Sequence, residues 1–261
     1  MRKTNPGQLR IIRDNTTLRS LYPQLGSGDL FIGRLRLKQT EEYFLLDLQA
    51  RGVTIFPSPL AQMISRSKAM QTDILGEFML PHTVVLHDLN DLRLIINTYQ
   101  QQGYGKVVSK EDRANGGMGI NIWRSLEDLY NQGSYGRLPF PLVIQPFIEN
   151  SRDIRVIILG EYLEAYYRDN TCNFRNNLHG GGTSTPTEIT KDQLQICREV
   201  MTRGNFPYAH LDLMITEQGQ TFLGEINLRG GIRGAIISTV EYGKRIAAIH
   251  ESFAENLSLP E

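Results

Sequence analysis

Cysteine is almost absent from this chain: Cys172 and Cys197 are the two in 261 residues. Two cysteines cannot form the framework of a disulfide-stapled domain, and they suit a reducing compartment. An excess of either charge is lacking too, because 28 basic and 28 acidic residues cancel; no net field marks nucleic acid or an anionic membrane as partner. No run approaches the roughly 20 apolar residues of a membrane span. The charged start MRKTNPGQLR is not followed by the apolar stretch of a secretion signal, so the expected location is the cytoplasm. Repeats, low-complexity segments, long linkers and a Ser or Cys catalytic triad are also missing. What is there, 40% hydrophobic and 21% charged residues, describes a globular chain long enough for a full core and two or three subdomains.

Short strand-like runs alternate with helical ones. LRIIRD (Leu9 to Asp14), DLFIG (Asp29 to Gly33) and VTIF (Val53 to Phe56) read as strands, with a helix from Glu41 to Ala50 ending at Gly52. This β-α-β-α-β order predicts a small parallel sheet. Ser58-Pro59 signals a helix start, and Ser58 to Phe78 reads as two helical pieces. From Asp88 to Gln101, Leu89, Leu92, Ile96 and Tyr99 recur at helical spacing before Gly103. Thr190 to Arg203 repeats the design, with Thr190 as N-cap, Leu194, Cys197 and Met201 on one face, and Gly204 past the end.

Two segments carry chemistry. In HLDLMITEQGQTFLGEIN (His210 to Asn227) two alternating stretches flank a polar turn with Gly219, the pattern of a β-hairpin. A turn centred on Gln218 and Gly219 puts Asp212 opposite Glu225 and His210 opposite Asn227, with paired Cβ atoms roughly 5 Å apart. Two carboxylates that close call for a cation, and oxygen ligands from Asp212, Glu225 and Asn227 suit a hard ion such as Mg²⁺; an exposed hairpin with solvated acids is the other reading of the same residues. KVVSKEDRANGGMGINIW (Lys106 to Trp123) has two strand-like runs around Gly116, Gly117 and Gly119, whose amides can approach phosphate oxygens closely. No Lys-Ser or Lys-Thr pair follows, so this is not a Walker A loop.

Those segments together with DIRVIILGEYLEAYYRDNTCNFRNNLHGGG (Asp153 to Gly182) resemble ATP-grasp ligases of the RimK type, glutamate-adding enzymes related to glutathione synthetases. Matching motifs are Asp153-Ile154-Arg155, Phe174 to Gly182, Asp212 and Glu225-Ile226-Asn227, with Ser65 to Leu86 similar to the family's Lys-bearing helix and Pro-led strand. The resemblance implies an α+β ATP-grasp fold, two subdomains clasping ATP behind a short N-terminal α/β domain. Its bounds are 1–65 for the N-terminal domain and 66–261 for the ATP-grasp part, with a lid at about 104–143 and a metal-binding subdomain at about 144–261.

It also implies roles. Lys68 and Lys110 would contact the α- and β-phosphates under the Gly116, Gly117 and Gly119 loop. Gln145, Phe147, Ile148 and Glu149 would form the adenine hinge, Glu149 facing the ribose, although Pro146 cannot donate a backbone hydrogen bond there. Arg155 and Arg175 would bind the γ-phosphate or an acyl phosphate, Asn177 and His179 would order their loop or act in catalysis, and Asp212, Glu225 and Asn227 would hold one or two Mg²⁺, with Mn²⁺ as a substitute. The implied activity is carboxylate–amine ligation through an acyl phosphate, with amino-acid, peptide or protein acceptors open and homo-oligomers common among relatives. A small-molecule kinase and a non-catalytic ATP-binding regulator are the alternatives. The chain departs from the family after Asn227, where Leu228-Arg229-Gly230-Gly231-Ile232-Arg233-Gly234 replaces a small residue with Pro-Gly; Arg229 and Arg233 read equally as a carboxylate clamp or as surface charges.

Overall fold

From Arg10 onward, short strands alternate with helices: β1 (Arg10–Ile12), α1 (Asn15–Leu21), β2 (Asp29–Ile32), α2 (Tyr43–Ala50) and β3 (Thr54–Phe56). The computed structural model describes residues 10–114, 118–170 and 181–258. The three strands run parallel in the order β1-β2-β3, as the alternation predicts. Parallel neighbours need crossover connections, and α1 and α2 supply them. Ile12, Leu18, Phe31, Leu45 and Leu48 close the core of this unit.

The two helical pieces that follow are α3 (Pro59–Ile64) and α4 (Lys68–Leu75). Each starts at a serine: Ser58 accepts from the amide of Ala61 and Ser67 from that of Met70, which satisfies donors that a helix start leaves free. Next come β4 (Val84–Leu86), α5 (Leu89–Gln101), β5 (Val107–Glu111), β6 (Ile120–Trp123), α6 (Leu126–Ser134) and β7 (Leu142–Pro146). Their strands form an antiparallel sheet in the order β4-β7-β5-β6. Asp88 caps α5 on the amides of Asn90 and Asp91, and Leu92, Ile96 and Tyr99 are its buried stripe.

The largest sheet is built from β8 (Arg152–Leu159), β9 (Tyr162–Asp169), β10 (Thr183–Thr187), β11 (Tyr208–Ile215) and β12 (Thr221–Asn227), in the order β10-β9-β8-β11-β12 and antiparallel throughout. The helix α7 (Lys191–Gly204) precedes β11, and α8 (Thr239–Ser258) follows β12. Alternation sorts the sheet into two faces. On one, Ala209, Leu211 and Leu213 of β11 with Ile154 and Val156 of β8 join the large apolar cluster that includes Ile64, Leu75, Cys197 and Val200. On the other, α8 covers one end: His250 Nε2 lies 3.0 Å from the Tyr208 hydroxyl, and His210 Nε2 lies 2.9 Å from that of Tyr242. Asp212 and Met214, next along that face, line an open cleft. The far end of α8 returns to the N-terminal sheet, where Phe253 stacks on Phe56 and Ala254 packs with Leu30 and Ile32.

Two details differ from the sequence reading. Gly204 is not past the end of α7 but inside it, and Asn205 takes the left-handed turn (φ 56°). A Cβ on Gly204 would meet the Phe206 ring at 2.6 Å, so the glycine answers to close packing and asparagine, which tolerates that conformation, ends the helix. In the hairpin, Asp212 does pair with Glu225 and His210 with Asn227, but the register shifts between Asp212 and Leu213. Gly224 is the extra residue, and a Cβ there would lie 3.1 Å from the Asp212 carbonyl oxygen. The bulge moves the turn centre by half a residue while leaving the pairing of the acids intact.

Two tests probe this frame. Gln71, 2% exposed, accepts from the Ile226 amide at 3.0 Å and donates to the carbonyls of Ile64 and Ile226, each at 3.0 Å. Gln71→Leu keeps the bulk but strands those groups, and should lower unfolding free energy by about 2–3 kcal/mol in urea titrations. Burial, with Arg229 and Arg13 nearby, pushes the His250 imidazole down to about 4, below its ordinary value near 6.5. The folded protein therefore holds His250 neutral while the unfolded chain takes up the proton first. The associated stability is complete above about pH 6.5 and lost as pH falls toward 4. His250→Gln should flatten the decline of the urea midpoint over that window; an unchanged slope would show that His250 is not the titrating group.

Candidate active site

One row of side chains crosses the open face of the large sheet. Tyr166 on β9 pairs with Arg155 on β8, Arg155 with Asp212 on β11, and Asp212 with Glu225 on β12. In the adjacent row Arg168 of β9 faces Asp153 of β8. The charges alternate and engage. Arg155 donates through Nε and Nη2 to the two Asp212 oxygens, both at 2.8 Å. Arg168 donates to Asp153 at 2.6 and 2.9 Å, and its Nη2 also reaches Asp212 at 2.8 Å. Bidentate guanidinium–carboxylate pairing fixes orientation as well as charge. Burial works against ionising Asp212, but the two guanidinium groups outweigh it and hold its carboxyl well below the usual carboxylate range. Asp153, with a single arginine on it, is pushed upward by burial to about 6.

The antiparallel four-stranded sheet lies across the cleft and contributes Lys110 from β5, whose Nζ is 3.5 Å from the Gly224 carbonyl oxygen. Burial lowers the pKa of this lysine, and the charges of Glu225 and Asp212 pull the other way. Lys68, first residue of α4, donates to the Ala114 carbonyl. Asp112 accepts from the Ala69 amide at 3.1 Å, and Arg113 forms a bidentate pair with Glu42, the residue that precedes α2, at 2.5 and 2.9 Å. The entry to the glycine-rich loop is thus tied both to α4 and to the N-terminal unit.

The cleft encloses about 800 Å³, and its lining includes Lys68, Lys110, Gln145, Phe147, Ile148, Arg155, Asp212, Glu225 and Asn227. A volume of that size takes a cofactor-sized ligand. Val108, Ile120, Phe147, Ile148 and Met214 give part of the wall an apolar character, while Lys68, Lys110, Arg155 and Arg168 give another part positive charge. Glu149 stands apart from this lining: it pairs with Lys106 at 2.8 Å, both side chains exposed. Gly119 is also absent from the lining; its carbonyl accepts from the Glu111 amide at 2.8 Å, and its φ of +73° closes the β5–β6 loop. Gly116, Gly117, Arg175, Asn177 and His179 lie outside the described residues, as does Cys172.

The donor set fits a hard divalent cation. Asp212, Glu225 and Asn227 offer only oxygen ligands from two paired strands. Among the described residues the Glu225 carboxylate accepts no hydrogen bond, which leaves it available. Arg168 and Asp153 had no role in the sequence reading. Arg168 sits two residues beyond Tyr166 on the same face of β9, and the Asp153-Ile154-Arg155 alternation put Asp153 beside Arg155; pairing β8 with β9 is what joins them.

A family model described as a RimK-like ATP-grasp domain matches residues 63–249. A "Probable alpha-L-glutamate ligase" of Trichodesmium erythraeum is 25% identical over 227 residues, covering 84% of this chain and 72% of that protein. A ribosomal protein bS6–L-glutamate ligase of Escherichia fergusonii is 24% identical over 220 residues, 82% of this chain and 70% of that one. Among solved structures, the ATP-grasp ligase PsnB, complexed with a phosphomimetic variant of its minimal precursor, Mg and ADP, superposes with a TM-score of 0.57 at 16% identity, over 80% of this chain and 66% of that chain.

The ionic rows make a direct prediction. Asp212→Asn leaves two guanidinium groups facing each other without their shared anion, and should destabilise the nucleotide-free protein by about 3 kcal/mol. Glu225→Gln removes a carboxylate that accepts no hydrogen bond among the described residues, and should change stability by less than about 1 kcal/mol. Equal losses for the two variants in urea titrations would remove Asp212 from the centre of the network.

Proposed function

Because this chain belongs to the RimK-like ATP-grasp family, we propose that it is an ATP- and Mg²⁺-dependent carboxylate–amine ligase that activates its substrate as an acyl phosphate. The observation that carries this reading is the convergence of Lys68, Lys110, Arg155 and Arg168 with the Asp212–Glu225 pair in one cleft. Lysines from the wall opposite the large sheet, and arginines interleaved on that sheet with acids that suit a metal, are the equipment phosphoryl transfer requires, since catalysis there is mainly positioning and charge neutralisation.

In the proposed reaction Lys68 and Lys110 hold the α- and β-phosphates, and the apolar wall with Gln145, Phe147 and Ile148 takes the base. A substrate carboxylate oxygen attacks the γ-phosphorus, the bond to the β,γ-bridging oxygen breaks, and ADP leaves. Arg155, held by Asp212 and by the Gly231 carbonyl at 3.2 Å, faces the charge that develops on the transferred group. An uncharged amine then attacks the acyl carbon and phosphate departs, with the amine's proton passing to solvent. Asp212, Glu225 and Asn227 would hold Mg²⁺, which when bound neutralises phosphate charge. Closure of the lid sheet keeps water from the acyl phosphate. Relatives named as glutamate ligases, and a structure of the ligase PsnB complexed with the precursor peptide PsnA2, support an amino acid as one substrate and a peptide or protein as the other.

Oxygen transfer tests the chemistry. With an ¹⁸O-labelled carboxylate substrate found by screening acid and amine pools for substrate-dependent ADP release, the label should appear in inorganic phosphate in step with amide formation. Transfer of the phosphoryl group to a hydroxyl acceptor, with no amide and no stoichiometric phosphate, would make the protein a kinase and end the ligase reading.

A further inference from the structure

The chain leaves β5 through Asp112, Arg113 and Ala114, and each of them is tied to another part of the molecule. Asp112 accepts from the Ala69 amide at 3.1 Å, so it occupies the start of α4, the helix whose first residue is Lys68. Arg113 takes both oxygens of Glu42, just before α2, at 2.5 and 2.9 Å, and its Nε lies 3.2 Å from Asp112. Ala114 accepts the Lys68 ammonium on its carbonyl. Links therefore run unbroken from the N-terminal unit to the start of α4: Glu42 to Arg113, Arg113 to Asp112, Asp112 to the Ala69 amide.

This is more than a surface ion pair. The Glu42 and Arg113 side chains are 18% and 24% exposed, and that of Asp112 is 7% exposed; charges this shielded are screened less by salt. Glu42 is presented from a firm base, because the neighbouring Glu41 carboxylate accepts from the Lys38 amide at 2.9 Å and from Arg19 at 2.8 Å, which closes the turn leading into α2. Arg113 sits at φ 61°, a left-handed conformation that residues other than glycine hold at a cost unless their surroundings compensate. Its bidentate pair supplies the compensation. Glu42, Lys68, Arg113 and Ala114 all line the cleft, so the tether closes beside the place where Lys68 would meet a phosphate. An ammonium carries several donors, which lets Lys68 keep Ala114 and hold a phosphate oxygen at once.

Resting on the nucleotide-binding part of the ligase reading, we propose that Glu42 and Arg113 are positioning residues: they hold Asp112 to Ala114 on the start of α4 and so set how long a nucleotide's phosphates stay in the cleft. They act through Lys68 and not on the reacting atoms. When the pair is broken, the backbone at Arg113 relaxes out of the left-handed region, Asp112 and Ala114 let go of α4, and Lys68 loses the tether that aims it. Glu42 lies outside residues 63–249, which the family model matches. Nucleotide retention by the ATP-grasp part therefore answers to a residue of the N-terminal unit.

The test reads release directly. The full chain with Mg²⁺ is loaded with fluorescently labelled ADP, and dissociation is followed by stopped flow on adding excess unlabelled ADP. Glu42→Gln and Arg113→Gln should each speed release about fivefold, the worth of one partly shielded bidentate pair. Arg113→Lys, which keeps the charge without the fork, should fall between them and wild type. The double glutamine variant should release no faster than either single one, because both changes remove the same contact. Adenosine, which offers Lys68 no phosphate, should bind every variant as it binds wild type. Amide exchange gives a reading that needs no nucleotide: the Ala69 amide should exchange faster in both glutamine variants, and the amides inside α4 should not. Wild-type release rates in the glutamine variants overturn the tether. So do additive effects in the double variant, Ala69 exchange that stays at the wild-type rate, or equal losses of adenosine and ADP binding, which would mark general damage to the cleft. If release responds as expected while no amide product forms, the ligase reading fails and the tether stands; if amide forms and release does not respond, the tether falls alone.

Discussion

Two buried glutamine side chains hold together the junction on which the cleft depends. Gln62 binds the backbone on both sides of Arg34, and Gln71 bridges the end of α3 to both backbone groups of Ile226 in β12. A primary amide can donate and accept at once, so each glutamine replaces the missing neighbour of a strand or loop that no sheet completes. Among the described residues the three sheets do not hydrogen-bond to one another as strands; these amides, with Ser65 on Leu228, supply polar links between the N-terminal sheet and the largest one. Buried polar contacts of this kind are costly when unmet and directional when met. They fix where Lys68, Arg66 and Arg229 stand relative to Asp212 in a way that apolar packing alone does not.

The second constraint is the coverage of the large sheet. α8 occupies the end of one face at Tyr208 and His210, and the sheet continues past it. The residues left uncovered are those where alternation has placed ionisable side chains: Asp153, Arg155, Arg168, Asp212 and Glu225. Had these positions been apolar, the open face would be an exposed hydrophobic patch. As charged residues, Asp153, Arg155, Arg168 and Asp212 pair with one another across β8, β9 and β11 and stay concentrated at the wall of the cleft.

Much of this was legible from local pattern. The parallel N-terminal unit followed from β-α-β-α-β order, and Asp212 opposite Glu225 followed from period-2 alternation around a polar turn. The cap residues Ser58 and Thr190 were readable because capping is a short-range interaction. What escaped was long-range. The ends of α7 and of the hairpin depend on Phe206 and on the Asp212 carbonyl, neither of which announces itself in a window around the glycine. Arg168 looked like one more charged residue on an exposed strand until β9 paired with β8. The helix α8 was not read at all: Gly243 interrupts its sequence, and its role is to contact β8 and the distant N-terminal sheet.

Net charge was the least informative quantity, and the cleft shows why. The chain as a whole is neutral, but the cleft lining carries eleven basic side chains against four acidic ones. That imbalance is held by the fold at a cost, because like charges at short range repel more strongly where solvent is excluded. It also gives the cleft an attraction for polyanions that solution composition can screen only in part. In the proposed reaction a nucleoside triphosphate accounts for the positive charge around Lys68, Lys110, Arg155 and Arg168, where acids are interleaved. Around Arg34, Arg66 and Arg229 the acid in the lining is Glu42, which Arg113 already pairs. The distribution of acids among the arginines therefore divides one cleft into two electrostatically different halves, one in which Asp153, Asp212 and Glu225 alternate with the cations and one in which they do not.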